Sequence, residues 1–339
     1  VIDFRYHLVS IIAVFLALAI GIVVGSTALQ PTVEHTLQAT GSRLEGRIDQ
    51  VEKNNRALNQ QLSADQAFAE ASRDRLLGHL LAGQDVVLVT APSPDGQVVT
   101  GLATALQAAG ATVTGTVALQ SQFFDDSDST EAKLNQLAEQ LAATAGLIIS
   151  NAGTGDAIAG QEAAAQVIAA AIATKADPAA LSAAQSQSIL DGFAAAGYLQ
   201  VSGAGDSATS LSPAGLALVV APAAPPSSTD ASPANLALLS VAEQLQAASD
   251  GTVLAGSVAG SGPGSAIDEA TGGGTVSTVD EADSASGQII AVQALSLLLS
   301  GHSPHSYGVH PGVVPSPAPS PSPSATSTAV ASAAQVRSK

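Results

Sequence analysis

Leu8 to Val24 reads LVSIIAVFLALAIGIVV, 17 residues with no charge and with Ser10 as the one polar side chain. The weaker GSTAL carries the run to Leu29. A helix needs roughly 20 mostly apolar residues to cross about 30 Å of hydrocarbon. Every backbone N–H and C=O inside that slab must be satisfied within the segment, so the stretch predicts one membrane-spanning helix. A removed signal peptide would show a basic start, a shorter apolar run and a small-x-small cleavage site. Here the head VIDFRYH carries Arg5 (with His7), and Gly25-Ser-Thr27 makes a poor site, so the reading is a retained signal anchor over 1–30. Gly21 and Gly25 form a GxxxG pair of the kind that lets two such helices approach. Arg43 and Arg47 after the run outnumber Arg5 before it, so charge does not orient the span. The seven-residue head is read as cytoplasmic, which makes this a single-pass cell-membrane protein with its bulk extracytoplasmic.

Working outward, Pro31 and the polar residues after it are expected to end the anchor. A stalk follows over 31–81. Ile48, Val51, Asn55, Leu58, Leu62, Asp65, Ala69, Ser72 and Leu76 fall at steps of three and four, and the same register collects Leu44 and Leu37. This is a heptad seam with Ile48, Asn55 and Leu62 at a positions and Val51 and Leu58 at d. Asn at an a position selects a parallel two-stranded coil at some cost in stability. The seam weakens at Asp65 and Ser72. A parallel coiled-coil homodimer is the reading, about 65 Å long at 1.5 Å per residue; the alternative is one amphipathic helix folded back on the domain beyond it.

Charge separates the stalk from the remainder of the chain. Of the 11 Lys and Arg, seven lie before position 76; from Leu76 to Val336 only Lys133 and Lys175 stand against 20 acidic residues. The net charge is −17, and a surface that acidic repels nucleic acid and anionic headgroups. Nucleic acid is therefore not an expected partner, whereas the membrane is. The sequence has no Cys, Met or Trp, which removes disulfides, thiol nucleophiles and thiolate metal sites together.

Residues 82–301 alternate strand and helix patterns. Expected strands are Asp85–Thr90, Ala111–Leu119, Gly146–Ser150, Tyr198–Ser202, Leu216–Ala221, Thr252–Gly256 and Thr275–Val279. Expected helices are Gln97–Ala109, Glu131–Ala145 (with Asp128 and Glu131 as a capping box), one reaching about Thr174, Leu181–Ala196, Pro233–Ala248 and Ser286–Ser300. Strands alternating with helices of ten or more residues predict an α/β domain with a Rossmann-like, mostly parallel sheet. From 302 to 339 the chain turns Ser/Pro/Ala-rich, and Pro at every second position from Pro315 to Pro323 precludes helix and ladder, so a disordered tail is expected.

Chemistry is sparse. Gly203-Ala-Gly205-Asp-Ser-Ala208 matches GxGxxG/A but is followed by Pro213 rather than by a helix. Asn151-Ala-Gly-Thr-Gly-Asp156 lacks the Lys of a phosphate loop. No His lies between His79 and His302, so the α/β domain lacks the usual general base. Asp125, Asp126 and Asp128 resemble half a calcium loop but have no Gly at the turn and no closing Glu. Asp280 and Asp283 stand where a strand's carboxyl end meets a helix, the ligand rim of such sheets; Asp283 as N-cap is the plainer reading. His302, His305 and His310 are the only clustered imidazoles and suit Cu(II), Ni(II) or Zn(II), though a folded site would need supporting hydrogen bonds.

Taken in order, FRYHLVSIIAVFLALAIGIVVGS, the heptads, DVVLVTAP, LQAAGATVTGTVAL and above all VSTVDEADSASGQIIAVQALSLLLSG resemble the actinobacterial MctB family across residues 1–301. The resemblance implies copper transport or homeostasis at the cell envelope, described for the family as an outer-membrane role, and for some corynebacterial members a part in cell division. The family's compact Gly-His-Tyr-Gly close is lengthened here to Gly301-His-Ser-Pro-His-Ser-Tyr-Gly308. Copper enters on the resemblance alone, and no resident cofactor is expected. Two functional classes emerge: a non-enzymatic copper-homeostasis membrane protein acting through an assembly, and a dimeric envelope scaffold presenting its α/β module to a division or cell-wall partner. An enzyme is a third class, for which the residues offer no machinery.

Overall fold

Strong helix formers recur from end to end of the stretch Phe4–Leu77, and it forms one helix, α1, of 74 residues. The computed structural model describes residues 4–149, 158–175, 181–203, 211–224 and 232–317, divided into a unit Val1–Asp65 and a unit Gln66–Lys339. In the first unit, Tyr6–Ser26 is a span of 21 residues with mean hydropathy 2.9 and none of it buried. Its side chains are apolar on every face, which is the pattern hydrocarbon solvates. Pro31 does not end the helix as expected. One missing backbone hydrogen bond costs about 3 kcal/mol, and helix already propagated on each side carries the chain through it. The heptad side chains Leu44, Ile48, Val51, Leu58 and Leu62 form an exposed apolar stripe along the helix.

The second unit takes in the last turns of α1. Ala69, expected in the heptad seam, packs instead against a core cluster that contains Leu77 and Leu81. The strands are β1 (Asp85–Thr90), β2 (Thr112–Leu119), β3 (Leu199–Gly203), β4 (Leu216–Val220), β5 (Gly251–Ala255), β6 (Ser277–Val279) and β7 (Ser306–Tyr307). They form one seven-stranded sheet in the order β3-β2-β1-β4-β5-β6-β7. All pairings are parallel except β2 with β3, which is antiparallel. Along β1, Val87 and Val89 enter one core and Val86 and Leu88 the other. That period of two is why DVVLVT reads as a continuous apolar run: both faces are covered.

Helices α2 (Gly96–Ala108) and α8 (Ala285–Leu299) cover one face with the end of α1. The other face carries α3 (Asp128–Ala145), α4 (Ala159–Ile172), α5 (Ala183–Ala195), α6 (Pro233–Ala248) and α7 (Ala266–Gly273), the last unanticipated. The expected strand at Gly146–Ser150 is absent over Leu147–Ile149, Ser150 lying outside the described residues. Gly146, at φ 76°, is spent on closing α3, Leu147 N–H returns to the Ala142 carbonyl, and Ile148 is 91% exposed. The expected capping box is also absent. The N-cap of α3 is Ser127, and Asp128 begins the helix. Asp125 organises that turn, accepting from Ser127 N–H and the Thr130 hydroxyl. Those bonds, the backbone one foremost, hold its carboxyl below the ordinary value.

The tail does not begin at 302. Residues 302–317 are folded: β7 pairs with β6, and Tyr307 bridges to Val314. The Pro-rich stretch from 318 onward lies outside the described residues, as does the 151–156 glycine run and all but Gly203 of the 203–208 one.

Candidate functional site

Val276 to Gln288, VSTVDEADSASGQ, leads from β6 into α8, and each of its polar residues has a definite task. Asp280 follows the last residue of β6 and is 1% exposed. Its Oδ1 accepts from Val309 N–H at 2.8 Å; its Oδ2 accepts from His310 N–H at 3.0 Å and from His310 Nδ1 at 2.7 Å. A buried carboxylate is costly unless its lone pairs are occupied, and here three donors from one strap occupy them. Gly308 (φ +140°) makes that approach possible, because a Cβ there would overlap the Asp280 carboxylate. The strap is zipped on each side of this contact. Thr278 N–H donates to the His305 carbonyl, Asp280 N–H to that of Tyr307, and Val314 N–H to that of Ser306.

Glu281 is half-buried, and burial pushes its carboxyl above the ordinary value, with the Asp280 and Asp283 charges adding to the rise and the Ser284 hydroxyl opposing it. Ser284, rather than Asp283, is the N-cap of α8, accepting from Gly287 N–H at 2.9 Å. Gly287 leaves room for the Glu281 carbonyl, which a Cβ would strike. Asp283 is exposed and accepts a long bond, 3.4 Å, from Val258 N–H. Gln288 ties the turn to α1: its Nε2 donates to the Ala282 carbonyl at 3.3 Å and its Oε1 accepts from Arg73 Nη2 at 3.1 Å. Arg73 Nε is buried without a hydrogen-bond partner.

Of the residues singled out in the sequence, Asp280 and His310 are brought together. His302 and His305 each turn Nδ1 to a nearby backbone carbonyl, of Leu297 and Ser303 respectively, and the His305 ring stacks on Tyr307. Among the described residues no three of His, Cys, Asp and Glu converge as metal ligands would. Arg73, Gln288 and Gly308 carry no signal in the sequence. Their partners lie far along the chain, so no local pattern announces them.

Four helix N-termini at the described carboxyl-end rim are also self-satisfied. A nucleotide-binding sheet leaves helix N-termini open to phosphate. Here α2 is capped by Asp95, α6 by Ser232, α7 by Ser265 and α8 by Ser284, each side chain taking a first-turn N–H. Asp268 and Glu269 stand in the first turn of α7, where an anion would have to sit.

The comparisons with known proteins agree with one another. Copper transporter MctB of Mycobacterium leprae (strain TN) is 31% identical over 320 residues, 92% of this chain and 97% of that protein. Copper transporter MctB of Mycobacterium tuberculosis (strain ATCC 25618 / H37Rv) is 29% identical over 319 residues, 92% of this chain and 98% of that protein. With the family model described as copper transport outer membrane protein, MctB, matching residues 1–317, the apolar Tyr6–Ser26 stretch, the α/β unit and the Asp280-bound strap all fall inside the match, and the chain belongs to the MctB family.

Proposed function

We propose that this chain is a membrane-tethered copper-homeostasis protein, its α/β unit outside the cytoplasm, acting through an assembly rather than by catalysis or a metal cage of its own. The match to the copper-transport family across 1–317, with relatives named as transporters, carries the first half. Ligand chemistry supports the second. Cu(I) is held by thiolate and thioether sulfur, and the sequence contains neither Cys nor Met. A transmembrane barrel closes its sheet against lipid, whereas this sheet is packed by helices on both faces, and one apolar helix cannot line an aqueous pore alone. The strand order, reversing between β1 and β4, is read as Rossmann-like and used for presentation, since the N-termini of α2, α6, α7 and α8 are closed by their own caps.

Cells lacking the chain should show altered copper content and greater copper sensitivity. The full chain should restore both, and a version lacking Tyr6–Ser26 should restore neither. Unchanged copper content and sensitivity in the deletion would overturn the reading. Titration of the full chain in detergent with Cu(I) and with Cu(II) tests the second half, which stoichiometric binding at micromolar metal would refute.

A further inference from the structure

The α1 stripe is exposed: Leu44 at 58%, Ile48 at 53%, Val51 at 57%, Leu58 at 62% and Leu62 at 54%. Five large side chains on one helical face, each more than half open to water, call for a partner surface of the same period. We propose that the occupant is a second copy of this chain, wound parallel and in register, with Arg47 of each helix facing Glu52 of the other.

Three observations select that occupant. First, the heptad register places Arg47 at g and Glu52 at the following e, and g meets the next e of the partner only across a parallel seam. An antiparallel seam would set Arg47 toward another g residue and lose the opposite-charge match. Second, Asn55 sits at an a position, where it pairs with its own counterpart only when the two helices are in register. A different protein would have to reproduce both the charge pattern and this polar position. Third, Tyr6–Ser26 is long and apolar enough to cross a bilayer; on the membrane tether proposed above, the spans of both copies enter the same bilayer, which fixes a common direction and confines both helices to one surface. Confinement raises the effective concentration, so a short seam suffices.

Glu52 also lies 3.7 Å from Arg56 on its own helix, but that pair is well exposed and contributes little. The seam has a natural end. From Gln66 the helix belongs to the α/β unit, where Ala69 packs on the core and Arg73 bonds Gln288.

Because the sequence has no Cys, single cysteines report on the full chain in native membranes. Asn55→Cys, on the seam, should form disulfide dimers on the order of tenfold faster than Gln60→Cys, on the outer face, under a metal-free oxidant. In the Asn55→Cys background, Arg47→Glu should slow crosslinking and adding Glu52→Arg should bring it back. Equal rates at 55 and 60 would overturn the proposal. So would failure of the charge exchange to restore the rate, or mass spectrometry finding the Asn55→Cys adduct joined to a different protein.

Discussion

Nδ1 of His310 lies 2.7 Å from Oδ2 of Asp280, 30 residues earlier in the chain, and the same carboxylate takes two backbone N–H groups from Val309 and His310. A strap rich in Ser, His and Pro, which propensity alone would leave unstructured, is thereby bound to the end of a buried strand. The side chain that reads as a ligand on the rim spends its lone pairs holding the protein's own C-terminal segment.

Asp280→Ala removes all three acceptor contacts and leaves two backbone N–H groups and an imidazole to find water. Losing charged hydrogen bonds at a buried site should cost roughly 3 kcal/mol or more. His310→Ala removes one contact of the three and should cost about 1–2 kcal/mol. Chemical denaturation of the two variants checks the ranking. Limited proteolysis should cut between 302 and 317 in the Asp280 variant well before the parent. Equal protection of that segment would mean that the strap is held by its β7 pairing alone.

Gly308→Ala tests the same contact from the other side. The new methyl must displace the Asp280 carboxylate, and the backbone there is at φ +140°. The expected loss is about as large as for Asp280→Ala, so the double variant should be little worse than either single one. Additive losses in a thermodynamic cycle would show the two residues acting independently.

How much of this is legible in the sequence depends on the range of each interaction. Strands buried on both faces, such as Asp85–Thr90 and Leu216–Val220, announce themselves as short apolar runs, and the α6 helix begins at Pro233 behind its Ser232 cap as local rules require. The same rule misleads at Gly146–Ser150. There the apolar run has the composition of a strand, but β2 and β4 already flank β1, and Gly146 serves the end of α3. The Asp280–His310 contact is half legible. Each residue stands out for its chemistry, yet nothing local joins a carboxylate at a strand end to a Gly-Val-His in a region with the composition of a tail. Helix α7 escapes because Ala266–Gly273 is short and glycine-rich at its end, so its place depends on a face that α6 and β6 supply.

Glu281 gives a pH dependence with a definite sign. Its folded-state value is raised above the ordinary 4.5, so the folded protein holds the proton more tightly than the unfolded chain. The associated stability is complete below the unfolded value and is lost as pH rises through the folded one. Glu281→Gln, which cannot ionise, should therefore be more stable than the parent at pH 7, with the gain shrinking toward pH 4. Urea midpoints at the two pH values decide it. A gain of equal size at both would mean that packing, not ionisation, separates the two side chains.

Arg73 and Gln288 join the final turns of α1 to the start of α8 by one hydrogen bond of 3.1 Å, with Arg73 Nε buried and unpaired beside it. The bond uses a charged donor and a Gln that is 7% exposed, so a double-mutant cycle over Arg73→Ala and Gln288→Ala should yield a coupling of about 1–2 kcal/mol. Arg73→Met removes the bond and the unpaired Nε together while keeping much of the stem's packing. It should cost less than Arg73→Ala if the guanidinium's apolar stem matters, and the whole-chain unfolding midpoint reads the difference. A cycle with no coupling would mean that the contact is incidental and that Ala69, Leu77 and Leu81 alone hold the end of α1 to the sheet.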